Sequence, residues 1–284
     1  VTMTGVGVTM RQLISDAADQ LAAAGVASPR VDAELLAAHA AGTDRGLVGF
    51  AAADAEFVRR FADLVGRRAQ RVPLQHLIGT AAFGPVSVHV GPGVFVPRPE
   101  TEALLEWALA QALPTAPVIV DLCTGSGALA VALAHGHPSA RMVAVDDSAE
   151  ALRYARRNAA STSVEVLAAD VTVPGVLAEL DGTVDLLVAN PPYIPAGAQL
   201  EPEVAQYDPA HALFGGPDGM AVIDRIAVLA ARLLRPGGRC AVEHDDTTSA
   251  RTVDAFHRAG GFTSVTARHD LTGRPRFVTA VRAE

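Results

Sequence analysis

Lysine is absent from this chain: all 23 basic residues are arginine, against 31 acidic ones, for a formal net charge of −8. That balance argues against a broad nucleic-acid footprint, which needs a basic stripe to neutralise phosphates. Cysteine is nearly absent as well, with only Cys123 and Cys240 among 284 residues. Two cysteines build no disulfide framework, so a reducing, cytoplasmic compartment is expected. The nine histidines are scattered, and no Cys/His spacing fits zinc, so no metal site is expected. Half of the residues are hydrophobic. Even so, no run reaches the roughly 18 apolar residues of a membrane span without charge or punctuation. The opening residues lack a basic stretch ahead of an apolar block, and no secretory signal is expected.

What the chain does contain is Asn190-Pro-Pro-Tyr193, directly after the apolar run Val184–Ala189. Two prolines hold φ near −65° and donate no ladder hydrogen bond, so the chain must turn rigidly out of a strand. The Asn190 side-chain oxygen and the Pro191 carbonyl can each accept one hydrogen of an incoming planar NH2, while Tyr193 stacks on it. The plainer reading is a proline-rich turn after a buried strand.

Upstream, Val118-Ile-Val-Asp121 runs into Leu122-Cys123-Thr124-Gly125-Ser126-Gly127 and then a helical stretch from Ala128. Glycines let backbone N–H groups approach a ligand, and the helix start adds positive partial charge. Gly125-Ser-Gly127-Ala-Leu-Ala130 also fits the dinucleotide fingerprint, with Asp146 about 20 residues on. Asp121 tips the balance. A carboxylate there sits badly with a pyrophosphate and suits a ligand carrying an ammonium group.

Together these residues resemble the class I S-adenosylmethionine-dependent methyltransferases. More narrowly, Phe95-Val-Pro-Arg-Pro-Glu-Thr-Glu102 resembles the HemK/PrmC family, which methylates the glutamine of the Gly-Gly-Gln motif in peptide-chain release factors. Further similar segments are Ser28–Leu36, Tyr207-Asp-Pro-Ala-His-Ala-Leu-Phe-Gly-Gly216 and Leu234-Arg-Pro-Gly-Gly238, so the resemblance spans roughly residues 10 to 282. Cys123 stands where that family usually has glycine, and Asp208 where it usually has glutamate. The sequence at Glu243-His244-Asp245 lacks the family's following glycine. The resemblance implies S-adenosyl-L-methionine as cofactor, class I release factors as protein substrate, and no direct nucleic-acid substrate.

Periodicity organises the chain. After a loose extension over residues 1–9, residues 10–75 read as a small helical bundle, with Leu13, Ile14, Ala17, Ala18 and Leu21 at helical spacing. The resemblance makes this bundle the substrate-docking domain. Ser28-Pro29 reads as a helix start and Gly42 as a stop. Residues 76–97 read as a hairpin linker, pairing Pro85–Val90 with Val94–Val96. Residues 98–284 read as the methyltransferase domain. Strands near 118–121, 141–146, 163–167, 184–189 and 239–243 alternate with helices, which implies a parallel α/β sheet. Segments 264–269 and 277–282 complete a Rossmann-like seven-stranded methyltransferase sheet. Arg59, Arg60, Arg67, Arg68 and Arg71 form a cluster, read as a solvated helix face ahead of a docking patch. His244 reads as structural rather than catalytic.

Asp121, Asp146, Asp170 and Asn190 then fall at the carboxyl ends of four strands, where ligands of such sheets bind. Asp146 is expected on the ribose hydroxyls, Asp170 and Val171 at the adenine edge, and Asp121 near the amino-acid end. Cys123, Thr124, Gly125, Ser126 and Gly127 form the loop beneath. Asn190, Pro191, Pro192 and Tyr193 are the expected catalytic turn. The rivals are a nucleic-acid base methyltransferase acting on an unstacked amine, a ribosomal-protein glutamine methyltransferase, an NAD-dependent oxidoreductase and a silent binding protein.

Overall fold

The computed structural model describes residues 9–284. The extension read over residues 1–9 therefore lies, Thr9 apart, outside the described residues. Thr9 itself begins the first helix, α1 (Met10–Ala23): its hydroxyl accepts from the Gln12 backbone N–H at 3.2 Å. That bond satisfies one of the donors a helix start leaves unpaired. Met10, Ile14, Ala17 and Leu21 form the buried face of α1. Next, α2 (Pro29–Ala41) has its proline at the first turn and ends at Gly42 in the left-handed region, φ 63°. Ser28 occupies the cap position of α2 but makes no side-chain cap bond. The following α3 (Ala55–Ala69) is capped by Asp54, which accepts from Phe57 N–H at 2.8 Å, and α4 (Leu74–Ile78) follows. Leu21, Leu36, Phe57, Phe61 and Leu64 share one apolar core.

This helical unit runs to Gly79 and also takes in Glu201–Tyr207, a segment from far downstream. Arg68 holds that addition. It is 6% exposed, and its guanidinium donates to Asp32 at 2.7 Å, to the Val72 carbonyl at 3.0 Å and to Glu203 at 3.0 Å. Arg71 donates to the same Glu203 oxygen at 2.8 Å. The arginine cluster of the sequence is thus divided: Arg68 is a buried tie, Arg71 is partly buried, and Arg59, Arg60 and Arg67 keep to the outer or partly exposed face. Replacing Arg68 with alanine strands the buried Asp32 carboxylate, and breaking such a pair from one side costs about 3–5 kcal/mol. Urea unfolding of Arg68→Ala should show that loss; a midpoint equal to wild type would contradict it.

The second unit comprises Thr80–Leu200 and Asp208–Glu284. It opens with a hairpin of β1 (Thr80–Phe83) and β2 (Val86–His89), with Phe83 opposite Val86. This corrects the pairing expected from sequence. Gly84, at φ 49°, closes a two-residue turn with Pro85, so the partner of 86–89 precedes it. Val94 and Val96 are buried in irregular backbone instead. The start of the segment read as linker, residues 76–78, is the end of α4.

Beyond the hairpin come α5 (Glu102–Leu109), β3 (Val118–Leu122), α6 (Ala128–Gly136), β4 (Arg141–Asp146), α7 (Ala149–Ala159), β5 (Glu165–Ala168) and β6 (Val184–Ala189). The short helices α8 (Pro202–Tyr207) and α9 (Ala210–Leu213) precede α10 (Ala221–Leu233), β7 (Leu234–Glu243), α11 (Ser249–Ala259), β8 (Phe262–His269) and β9 (Pro275–Arg282). Seven strands form one sheet in the order β5-β4-β3-β6-β7-β9-β8. The first five are parallel, and β9 runs antiparallel between β7 and β8. Helices on both faces bury the central strands, which is why β6 is apolar apart from Asp185, whose buried carboxylate accepts from Val118 N–H and pairs with Arg235; all six of its residues are buried. Strand order reverses between β3 and β6, so a crevice opens where their carboxyl ends part. Among the described residues no helix is long and apolar enough to cross a membrane.

Candidate active site

The loop after β3 is built on positive-φ residues: Cys123 at 57°, Gly125 at 57° and Gly127 at 82°. Gly127 also needs its missing side chain, since a Cβ there would sit 3.3 Å from the Ala155 backbone. A Cβ on Gly125 would meet nothing within 4 Å, so that glycine serves backbone conformation and leaves open space above the loop. Asn158, on α7, clamps the loop from behind. Its amide donates to the Ser126 carbonyl at 2.8 Å and the His89 carbonyl at 3.0 Å, and its oxygen accepts from His89 N–H at 2.7 Å. No motif in the sequence points to Asn158.

Asp146 ends β4 and reaches the same loop. Its Oδ2 accepts from Gly125 N–H at 2.8 Å and its Oδ1 from Ser148 N–H at 2.9 Å. Each carboxylate oxygen keeps a further lone pair for a ligand hydroxyl. Burial raises the Asp146 pKa, against those two backbone donors. Asp121 is fully enclosed, and its Oδ2 accepts from the Thr124 hydroxyl at 2.5 Å. Among the described residues its Oδ1 finds no hydrogen-bond partner. Burial first, with Asp146 nearby, pushes the Asp121 carboxyl up to about 7. An orphaned, desolvated carboxylate oxygen is a place where an approaching cation gains most. Asp170 is exposed and turned back on its own loop, accepting at Oδ1 from the Thr172 N–H at 2.8 Å and hydroxyl at 2.7 Å. Those bonds lower its pKa. The Val171 side chain is buried in the core, which leaves its backbone as the part available to a ligand.

Cys123 is partly exposed, in a conformation that costs a non-glycine residue about 1–2 kcal/mol. Burial of the thiol, then the carboxylates of Asp146 and Asp121, push its pKa well up. It should therefore stay a thiol at pH 8 and alkylate at least about tenfold more slowly than an unhindered cysteine. Mass-spectrometric timing of iodoacetamide uptake checks this; rapid labelling of Cys123 in the folded protein would contradict it.

On the other side of the switch point, β6 delivers Asn190 and the two prolines. The Asn190 amide nitrogen donates to the Thr101 hydroxyl at 3.1 Å. Tyr193 is half-buried against the core, and its hydroxyl donates to Glu243 Oε1 at 2.9 Å. The turn is pinned at its far end, where Ile194 N–H donates to the Leu213 carbonyl and Gly215 N–H to the Ile194 carbonyl. Gly215 and Gly219 lie directly on it: a Cβ on either would fall 2.4 Å from the Pro192 oxygen or 2.2 Å from the Tyr193 oxygen. Arg98 and Asp208, both inside segments singled out in the sequence, form an ion pair. His244 is fully buried, with Nδ1 against the Asp245 carbonyl, in keeping with a structural residue. Thr101 and Glu243 carried no sequence signal as site residues beyond their places in the PETE segment and at a strand end. Among the described residues, no group of three or more His, Cys, Asp or Glu is arranged to hold a metal.

Two family models match the chain: the PrmC N-terminal domain over residues 12–79 and the methyltransferase small domain over residues 87–208. A release factor glutamine methyltransferase from Mycolicibacterium smegmatis is 70% identical over 96% of this chain and 98% of its own length. Another from Mycobacterium tuberculosis is 65% identical over 96% of this chain and 92% of its own. In fold, the chain is similar to a crystal structure of a methyltransferase from Pyrococcus furiosus, with a TM-score of 0.54 and 19% identity over 77% of this chain and all of that one.

Proposed function

Because the chain belongs to the release factor glutamine methyltransferase family, we propose that it methylates the side-chain amide nitrogen of the glutamine in the Gly-Gly-Gln motif of peptide-chain release factors, with S-adenosylmethionine as methyl donor. The observation that carries the reading is Asn190, whose amide nitrogen is held by Thr101 beside the glycine loop. With its N–H end engaged, the carboxamide turns an acceptor oxygen to an incoming NH2.

The residues of the crevice fit that donor. The orphaned Asp121 Oδ1 suits its ammonium group, the remaining lone pairs of Asp146 suit ribose hydroxyls, and the open side of Gly125 leaves room for both. Asp170 and the Val171 backbone border the adenine position. When bound, S-adenosylmethionine supplies an electrophilic sulfonium methyl group: the N–C bond forms as the C–S bond breaks, and the nitrogen then sheds one proton to water. The chain's own contribution is orientation, worth roughly 7–11 kcal/mol in favourable cases. Asn190 Oδ1 and the Pro191 carbonyl accept the two amide hydrogens, which become more acidic as the nitrogen gains positive charge, so both bonds strengthen in the transition state. Tyr193 borders the flat amide while Glu243 anchors its hydroxyl. The helical unit ending at Gly79 docks the body of the release factor.

Peptide mapping of a release factor incubated with the protein and S-adenosylmethionine tests this. One added methyl on the Gly-Gly-Gln glutamine is expected; modification confined to other residues would overturn the assignment.

A further inference from the structure

The segment 208–214, which packs back on the Asn-Pro-Pro-Tyr turn, is tied down at three points. At its start the buried Asp208 carboxylate pairs with Arg98. At its end the Leu213 carbonyl accepts from Ile194 N–H at 2.8 Å, and Phe214 bridges Ile194 in parallel register. Between them lies α9, a single turn carrying His211, whose Nε2 is 2.6 Å from Asp147 Oδ1. Asp147 directly follows β4, whereas Ile194 lies in the chain leaving β6, and β3 separates those two strands in the sheet. Neighbouring strands are about 4.8 Å apart, so β4 and β6 stand about 10 Å apart. A short helix anchored beyond β6 and reaching the end of β4 therefore crosses the carboxyl end of β3, where the glycine loop begins.

The ends of this strap and its middle differ in kind. The ends are closed by backbone hydrogen bonds and by a pair whose acid is buried, while the side chains of His211 and Asp147 are 64% and 38% exposed. A pair so exposed shifts an equilibrium by no more than about fivefold. That adds little to the stability of the fold, but it suits a fastening that must open in every turnover to exchange spent cofactor for fresh. We propose that His211 is a positioning residue that, paired with Asp147, latches α9 across the mouth of the crevice and retains the nucleoside half of bound S-adenosylmethionine. This rests on the reading of the crevice as the S-adenosylmethionine site, in which Asp146, the neighbour of Asp147, takes the ribose hydroxyls.

The latch has a pH signature, and the charges around it give the sign. Asp147 and Asp146 at the end of β4, and Asp170 after β5, all act on His211. The bond to Asp147 first, then the three carboxylate charges, raise the His211 pKa above its ordinary value against partial burial. A histidine raised in this way holds its ion pair below that pKa and loses the ionic part as pH rises through it. Asp121 works in the opposite direction, since it gains its hold on an ammonium group as it ionises through about 7. His211→Gln keeps a neutral donor at 211 and leaves Asp121 intact, so the ratio of that variant to wild type isolates the latch.

The test compares wild type, His211→Ala, His211→Gln, Asp147→Asn and the His211→Ala/Asp147→Asn double variant, each as the full-length protein. For each, S-adenosylmethionine Kd is read by calorimetry, and release of the labelled cofactor by chase with unlabelled cofactor. His211→Ala and Asp147→Asn should each release the cofactor about three- to fivefold faster. Their thermal midpoints should match wild type, and KM for S-adenosylmethionine should rise while saturating kcat does not fall. The double variant should lose no more than either single one, as partners in one contact do. The release rate of His211→Gln relative to wild type should exceed one below about pH 6 and approach one above about pH 8. Wild-type release in both single variants, additive losses in the double variant, or a ratio independent of pH would each overturn the latch alone. Absence of S-adenosylmethionine binding to the wild-type protein would instead overturn the reading of the crevice, and the latch with it.

Discussion

Asn190→Ala is expected to lose about 10²–10³-fold in kcat, the scale seen when one preorganised partner of a developing charge is removed. The loss should fall on transfer and not on cofactor binding. Asn190 sits after β6, and its amide nitrogen donates to the Thr101 side chain. The glycine loop is held by Asp146, Asn158 and Thr124 instead. Cutting the carboxamide to a methyl therefore removes an acceptor without untying the loop. The S-adenosylmethionine Kd should stay within about twofold, and KM for the release factor should change less than kcat, because the bond is stronger in the transition state than in the ground state. Equal loss of turnover and cofactor affinity would instead move Asn190 into the cofactor site.

Gly219→Ala is expected to be nearly as severe, for a steric reason. Gly219 has φ 79°, and a Cβ there would lie 2.2 Å from the Tyr193 carbonyl oxygen and 3.1 Å from its carbon. These are backbone atoms of the Asn-Pro-Pro-Tyr turn, not the end of a flexible side chain, so the turn itself must move. A displacement on the order of 1 Å can cost about 10²-fold in rate. The left-handed conformation adds about 1–2 kcal/mol of instability. Gly197→Ala is the control. Its φ is 87°, but a Cβ there would meet nothing within 4 Å. It should lose similar conformational stability while keeping transfer within a few-fold. If the two variants transferred methyl equally well, the close packing of Gly219 on the turn would have no functional weight.

The parts of this molecule that could be read from sequence are those whose physics is local or repetitive. Strands buried on both faces announce themselves as apolar runs, so Val184–Ala189 and Arg141–Asp146 fall at the same residues in the structure. The glycine loop was legible because positive φ restricts composition, though Cys123 adopts φ 57° without being glycine. The hairpin was misassigned because the true partner, Thr80-Ala-Ala-Phe83, carries little β-branched signal, while Val94-Phe-Val96 carries a strong one. The helix Pro202–Tyr207 was invisible for a different reason. None of its residues is buried, so it carries no apolar stripe, and its place in the helical unit depends on ion pairs to Arg68 and Arg71 across more than 130 positions. Thr101, Asn158 and Glu243 escaped for the same cause. Each is a polar side chain whose meaning lies in partners far away in the chain.

A planar NH2 held by two acceptors does not by itself separate a glutamine amide from the exocyclic amine of a base. The two substrates demand different things of the rest of the molecule, and the charge of −8 favours a protein. The most direct measurement offers one preparation of the protein labelled S-adenosylmethionine with four acceptors side by side: a release factor, its Gly-Gly-Ala variant, duplex DNA and ribosomal RNA. Label on the wild-type factor and none on the other three is the result predicted here. Label on nucleic acid, or equal label on the Gly-Gly-Ala variant, would contradict glutamine methylation while leaving the methyltransferase fold in place.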